Sequence, residues 1–208
     1  MESKSFERRD QLIEAALDEF TKRSYDDASL NSIIKSAGIS KGTFYYHFEN
    51  KEALYLYLLE HSVAEKWKYI EKRTKEMGQD DVGMGIFDMF KFQARLGAEF
   101  GKLHPRYHQL SIMFSKEKGK EIFDKASDIL GTDSDEMLRE MIKEAIENGE
   151  LRNDLPKEFV INMVTYLFKH YTDVFKQEED LTIEKMIDNV DNFVDFMSNG
   201  IGSKLNRR

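Results

Sequence analysis

Apolar residues spaced at i, i+3, i+4 and i+7 run through nearly the whole chain, and this periodicity constrains the fold more than any other feature. Ile13, Ala16, Leu17 and Phe20 form the first such stripe and predict a helix over about residues 6–23. Leu30, Ile33, Ile34 and Ala37 repeat it on a short second segment, with Ser29 placed as N-cap and Gly38 as C-terminal stop. Ile39 then turns inward, and Ser40 caps a third segment of about two turns, with Phe44 and Phe48 sharing one face at i and i+4. Asn50 supplies a fresh cap for a long fourth helix starting at Lys51, which carries Leu54, Tyr57, Leu58 and His61 along one side.

Downstream, the same spacing predicts helices over about residues 81–103, 105–115, 118–130 and 134–148, the last stopped by Gly149. The longest stripes fall in about residues 156–176 (Val160, Met163, Val164, Leu167, Phe168, Tyr171, Val174) and 182–198 (Ile183, Met186, Ile187, Val190, Val194, Met197). Pro105 and Pro156 are the only prolines, and alternating β-branched runs are scarce. The expectation is an all-α chain of about nine helices: a helix-turn-helix domain over residues 1–50, joined without a flexible linker through a long helix to a helical domain over residues 51–208.

The 40% of hydrophobic residues supply a core large enough for a folded chain despite 34% charged residues. Cysteine is absent, which excludes disulfides and thiolate metal sites. No signal-like start and no run of eighteen apolar residues occurs, so the expected address is the cytoplasm, with no membrane partner.

A net charge of -8 sits badly with nucleic-acid binding unless cations gather locally. They do so mildly: from Ser29 to Lys51 the chain carries three lysines against one glutamate. The layout of a four-turn helix, a two-turn helix ending in Ala-Gly and another short helix is that of a helix-turn-helix, whose third helix, over about residues 40–47, would enter the major groove. Lys41, Thr43, Tyr45, Tyr46 and His47 offer a cation, a hydroxyl, two phenols and an imidazole to phosphates or base edges. Gly42 lets backbone approach DNA closely, and Lys51 sits where helix amides also favour phosphate. Phe44 and Phe48 are read as core, while packing remains an alternative role for Tyr45 and a local backbone bond one for His47.

The run Ala37-Gly38-Ile39-Ser40-Lys41-Gly42-Thr43-Phe44-Tyr45-Tyr46-His47-Phe48-Glu49-Asn50-Lys51-Glu52-Ala53-Leu54, with the upstream Ala15-Ala16-Leu17-Asp18-Glu19-Phe20, resembles the signature of TetR-type transcription regulators. Ile34 departs from the alanine frequent in that family. The resemblance implies DNA contacts from Ser29, Ser40, Thr43, Tyr45, Tyr46, His47 and Lys51, with Lys41 and Thr43 nearest the bases. It implies a homodimer on a palindromic operator, paired through the last two long helices, acting as a repressor released by a small-molecule effector bound in the C-terminal domain.

Past about residue 55 the resemblance fades and only pattern remains. Trp67, Phe87, Phe90, Phe100, Tyr107, Met113, Phe114, Tyr166 and His170 are candidates to line a cavity for an apolar or aromatic effector, the alternative being ordinary core. His104 and His108 stand four apart, but Pro105 places His104 at a cap and no His-Glu-x-x-His pattern supports a metal site, so neither metal nor cofactor is called. No Gly-rich phosphate loop or nucleophile elbow points to an enzyme. A helical adaptor would explain the terminal stripes but leave Ser40 to Lys51 without a purpose.

Overall fold

A computed structural model describes residues 2–78, 84–174 and 182–201. These form nine helices: α1 (Glu2–Phe20), α2 (Leu30–Ser36), α3 (Lys41–His47), α4 (Lys51–Glu76), α5 (Ile86–Leu103), α6 (Pro105–Lys116), α7 (Glu121–Glu147), α8 (Lys157–Val174) and α9 (Ile183–Ile201). The all-helical expectation holds. Positions 81–83, 175 and 176, expected as helix, and the side chains of Tyr171 and Val174 lie outside the described residues.

Several boundaries differ from the sequence reading: α1 begins at Glu2, α5 at Ile86 and α7 at Glu121. The first helix ends at Phe20, where the Thr21 hydroxyl donates to the Leu17 carbonyl at 2.7 Å and the amides of Lys22 and Arg23 both turn back to Glu19. The segments expected at 118–130 and 134–148 are one continuous helix, α7. Gly131 inside it costs about 1 kcal/mol of helix propensity, which the packing of Ile122 and Ala126 before it and of Ile142 and Ala145 after it offsets.

The chain forms two compact units. The first comprises residues up to Trp67 together with Leu103–Leu130, so the helix-turn-helix shares its core with α6 and the start of α7. Leu12, Ala16 and Phe20 of α1, Ile33 of α2, Phe44 of α3, Leu54 and Leu58 of α4 and Leu110 of α6 are all buried in one cluster. Phe20 and Tyr25 pack on Tyr55 at centroid distances of 4.8 and 5.0 Å.

The α1–α2 loop is pinned from two sides. The Lys51 ammonium donates to the carbonyls of Tyr25 at 2.7 Å and Ala28 at 3.0 Å and lies 4.5 Å from the centre of the Tyr25 ring. The buried Glu117 accepts from the Tyr25 amide at 2.7 Å and pairs with Lys120 at 2.7 Å, and Lys120 also reaches Asp26 at 2.8 Å. Burial, followed by the Glu117 charge, pushes the Tyr55 phenol well above its usual range. Arg106 of α6 pairs with Glu14 and Asp18 of α1.

The second unit comprises Lys68–Lys102 and residues from Gly131 onward. Its core joins Ile86, Ile142, Leu151, Val160, Ile161, Val164, Phe168, Val190, Phe193, Val194 and Met197, with the Phe90 ring tilted against that of Phe168 at 3.8 Å. The Glu150 carboxylate accepts from the Ile86 amide at 2.6 Å, capping α5, and comes so close to Gly85 that a Cβ there would meet it at 3.0 Å. Lys91 and Arg95 of α5 pair with Asp195 and Asp191 of α9 at 2.6 and 3.0 Å. Helix α8 has a second apolar stripe turned away from this core: Phe159, Met163 and Tyr166 at i, i+4 and i+7 are exposed, and α9 exposes Phe196. Among the described residues, no helix is long and apolar enough to cross a membrane.

Candidate nucleic-acid interface

The third helix is placed by three local devices. Gly38, at φ +65°, takes the left-handed conformation that ends α2, which a side-chain-bearing residue adopts only at a cost of roughly 1 kcal/mol. Ser29 caps α2 by accepting from the Ser32 amide, while its own amide donates to Glu19 at 2.9 Å. Ser40 caps α3 by accepting from the Thr43 amide at 3.1 Å, with the two hydroxyls 2.9 Å apart. Asn50 accepts from the Ala53 amide at 2.8 Å and starts α4. Each cap satisfies an amide that the helix leaves orphaned.

With Phe44 fully buried and Phe48 buried beneath it, the opposite face of α3 is presented to solvent. Tyr46 is 79% exposed and Tyr45 59% exposed, so Tyr45 does not serve the core. Lys41 and Gly42 are exposed, and Thr43 and His47 are half-buried at the flanks. The His47 ring meets the Tyr46 ring edge-on at 5.0 Å. Large aromatic rings held in water are costly unless something covers them in the working state. A phenol, an ammonium and a hydroxyl on one helix face match the donors that phosphate oxygens and base edges accept.

The chain's own packing explains some expected contacts differently. Lys51 turns its ammonium onto loop carbonyls, so its charge knits the α1–α2 loop. The serines at 29 and 40 act first as caps; a capping hydroxyl that accepts keeps an O–H to donate outward.

Gly42 separates structural from functional demand. A Cβ there would meet only the Ser40 hydroxyl, at 3.7 Å, an ordinary contact, and Gly42 lies inside a helix. Nothing in the fold requires glycine at this position, and the expected close approach of DNA backbone is what a methyl group there would oppose. Gly42→Ala is therefore expected to stabilise the first unit by about 0.5–1 kcal/mol while lowering DNA affinity. Thermal unfolding and fluorescence anisotropy on labelled duplex check the pair of effects; an unchanged affinity would show that no backbone passes close to Gly42.

Ring contacts join α3 to the rest of the unit. From Tyr45 they run through Phe44 (5.1 Å) and Phe48 (6.3 Å) to Tyr57 (5.4 Å), then through His61 (5.7 Å) to Tyr107 (6.1 Å) and His104 (6.0 Å) at the head of α6. Sequence reading missed this because the partners lie on three separate helices.

The cavity candidates divide between the units: Trp67, Tyr107, Met113 and Phe114 in the first, Phe87, Phe90, Phe100, Tyr166 and His170 in the second. Phe114 stacks on Phe123 at 4.8 Å, Phe90 packs tilted against Phe168 at 3.8 Å, and Phe100 is buried 5.7 Å from Tyr69. Tyr166 is 60% exposed on the outward stripe of α8, which is the wrong side of that helix for lining its own unit's interior. His104 caps α6 without a side-chain bond to it, and burial holds the half-buried His108 below the usual histidine range. Among the described residues, no group of three or more His, Asp or Glu gathers as a metal site.

Residues 12–58, the helix-turn-helix and the start of α4, match the family model described as bacterial regulatory proteins, tetR family. The chain is 41% identical over 59 residues to the uncharacterized HTH-type transcriptional regulator YdgC of Bacillus subtilis, covering 28% of this chain and 30% of YdgC. It thus spans less than a third of that relative's length. A second relative, the uncharacterized HTH-type regulator YvdT of the same organism, is 25% identical over 182 residues, 85% of this chain and 88% of YvdT. Among solved structures, a TetR-family regulator from Syntrophomonas wolfei superposes with a TM-score of 0.65 at 22% identity over 93% of this chain and 96% of its own. That likeness shows a shared fold across both units.

Proposed function

We propose, from the match of residues 12–58 to the tetR family of bacterial regulatory proteins, that this chain is a DNA-binding regulator of transcription, a homodimeric repressor acting in the cytoplasm. Each copy presents α3 to one half of a palindromic operator, and a small apolar or aromatic effector releases it. The observation that carries this reading is the aromatic and cationic face of α3, with Tyr45 and Tyr46 held in solvent above a buried Phe44. The family's members are DNA-binding proteins without enzymatic activity, which sets the enzyme alternative aside.

Dimerisation is supported by the exposed apolar stripe of α8 and by Phe196 of α9. A two-fold axis brings the same stripe of both copies face to face, as in a four-helix bundle, and removes these aromatics from water. This reading moves Tyr166 from the effector cavity to the pairing face. It also sets two α3 helices on one side of the duplex, about 34 Å or a small multiple of that apart. DNA contacts fall to Lys41, Thr43, Tyr45, Tyr46 and His47, with Ser29 and Ser40 at the flanks. To switch from 99:1 bound to 1:99, the effector must prefer the releasing conformation by about 10⁴-fold, which requires an enclosed site.

Selection from a random duplex pool at about 150 mM salt tests the reading, because non-specific phosphate attraction is already weak there. A two-fold symmetric motif is expected. Recovery of no motif would return the chain to the adaptor reading.

A further inference from the structure

Glu117 lies on the turn between α6 and α7, as the C-cap of α6, and only 1% of it is exposed. Among the described residues it is the only buried carboxylate. Burying a carboxylate is unfavourable unless donors meet it, and an apolar residue of similar size would serve a core as well or better. The donors here come from the α1–α2 loop and from α7. One oxygen accepts from the Tyr25 amide at 2.7 Å, 92 positions away, while the Lys120 ammonium lies 2.7 Å from the other oxygen and 2.8 Å from Asp26. The Tyr25 carbonyl goes to the Lys51 ammonium at 2.7 Å, so both backbone polar groups of Tyr25 are tied to side chains outside its own loop.

These bonds decide where α2 sits. Past the residues that close α1, the loop turns on itself through the Ala28 amide, which donates to the Ser24 carbonyl at 3.0 Å; its outside anchors include Glu117, Lys51 and, at the Ser29 amide, Glu19. Helix α2 is seven residues long and buries Ile33 and Ile34. Apolar contact is non-directional and lets so short a helix slide or rotate at little cost, whereas a hydrogen bond fixes distance and angle. Ser29, the cap of α2, follows shortly after Tyr25, and α3 follows α2 across the Gly38 turn. Binding groups have to be held within about 0.5 Å to meet a rigid partner. We propose that Glu117, although it faces the core, is a positioning residue for operator recognition, an assignment that rests on the DNA-binding reading above. It acts through Tyr25 on the placement of Ser29 and α2, and through α2 on the register of α3 in the groove. The acceptor oxygen carries this role more than the charge, since Lys120 keeps Asp26 as a partner without it.

Three full-length variants separate positioning from stability. Glu117→Met keeps the volume and removes the acceptor, Glu117→Gln keeps an acceptor for the Tyr25 amide, and Leu110→Ala empties part of the same core while leaving the loop anchors in place. Thermal melting is measured for each, together with anisotropy titrations of the selected and a scrambled duplex at a temperature where circular dichroism shows all of them folded. Glu117→Met should melt within about 3 °C of the wild type, because an apolar side chain replaces a buried carboxylate. Its affinity for the selected duplex should nevertheless fall about tenfold or more, with the scrambled duplex held within about threefold, because loose phosphate attraction tolerates a misplaced helix. Glu117→Gln should stay within about threefold of the wild type on both duplexes. Leu110→Ala should melt clearly lower and still stay within about threefold on both. By amide exchange, Tyr25 should lose protection about tenfold or more in Glu117→Met and keep it in Glu117→Gln. Unchanged affinity or unchanged Tyr25 exchange in Glu117→Met, a Glu117→Gln chain as weak as Glu117→Met, or an equal loss of affinity in Leu110→Ala would each overturn the assignment. A Glu117→Met chain that fails to fold would also overturn it, by showing that Glu117 serves the core alone. If the wild-type chain preferred no selected duplex, the DNA-binding reading itself would fall, and this assignment with it.

Discussion

Phe44→Ala is expected to destabilise the first unit by about 3–5 kcal/mol and to lower its unfolding midpoint by roughly 10–20 °C. Phe44 is fully buried and has neighbours from α1, α2 and α4 in one core, so truncation leaves a cavity that short helices on several sides can only partly close. Its ring also touches those of Tyr45 and Phe48, and contacts of this kind add about 0.5–1.5 kcal/mol beyond buried area. Because single domains are stable by only about 5–15 kcal/mol, the variant should lose DNA binding at temperatures the wild type tolerates. Phe44→Leu, which keeps most of the volume, should cost about 1–2 kcal/mol and retain binding. Calorimetry reads the loss. A loss under about 1 kcal/mol for the alanine variant would mean that Phe44 does not organise the core beneath the reading head.

The second large effect concerns pairing. Tyr166→Asp combined with Phe196→Asp should convert a dimer into a monomer at micromolar concentration, as sedimentation velocity would read. Both rings are mostly exposed in the single chain, so the two substitutions leave its own core intact. In a two-fold interface each new carboxylate would face the copy's apolar stripe, or its own image, and would be stripped of water without a partner. Linking two reading heads raises the effective concentration of the second to the millimolar range. Losing that linkage should weaken operator binding by about 10²–10⁴-fold while leaving the fold of each unit unchanged. A variant that stays dimeric would move the pairing surface elsewhere on the chain.

Much of the first unit was legible in the sequence because its determinants are local. Ser29, Ser40 and Asn50 cap helices through bonds that span three residues, and Gly38 ends α2 through its own backbone freedom. What depends on distant partners was not legible. Lys51 reads as a free cation at a helix start, yet its carbonyl partners stand 23 to 26 positions earlier in the chain. Glu117 reads as one more surface acid, and nothing nearby in sequence announces that it receives the Tyr25 amide, 92 positions away.

In the second unit, periodicity located α8 but not which of its apolar stripes meets its own core. Val160, Val164 and Phe168 turn inward and Phe159, Met163 and Tyr166 outward, and both sets keep helical spacing. The merging of two expected helices into α7 has the same origin. Gly131 is a local stop signal, overridden by packing on both sides of it.

The solvent face of α3 is proposed to read sequence. This is tested most directly by the affinity of Lys41→Ala and Tyr46→Ala chains for the selected duplex, divided by their affinity for a scrambled duplex, at about 150 mM salt. This ratio is expected to collapse by about tenfold or more for Lys41→Ala, whereas Tyr46→Ala is expected to weaken both duplexes together through a lost phosphate contact. An unchanged ratio and unchanged affinities in both variants would contradict it and place DNA recognition outside α3.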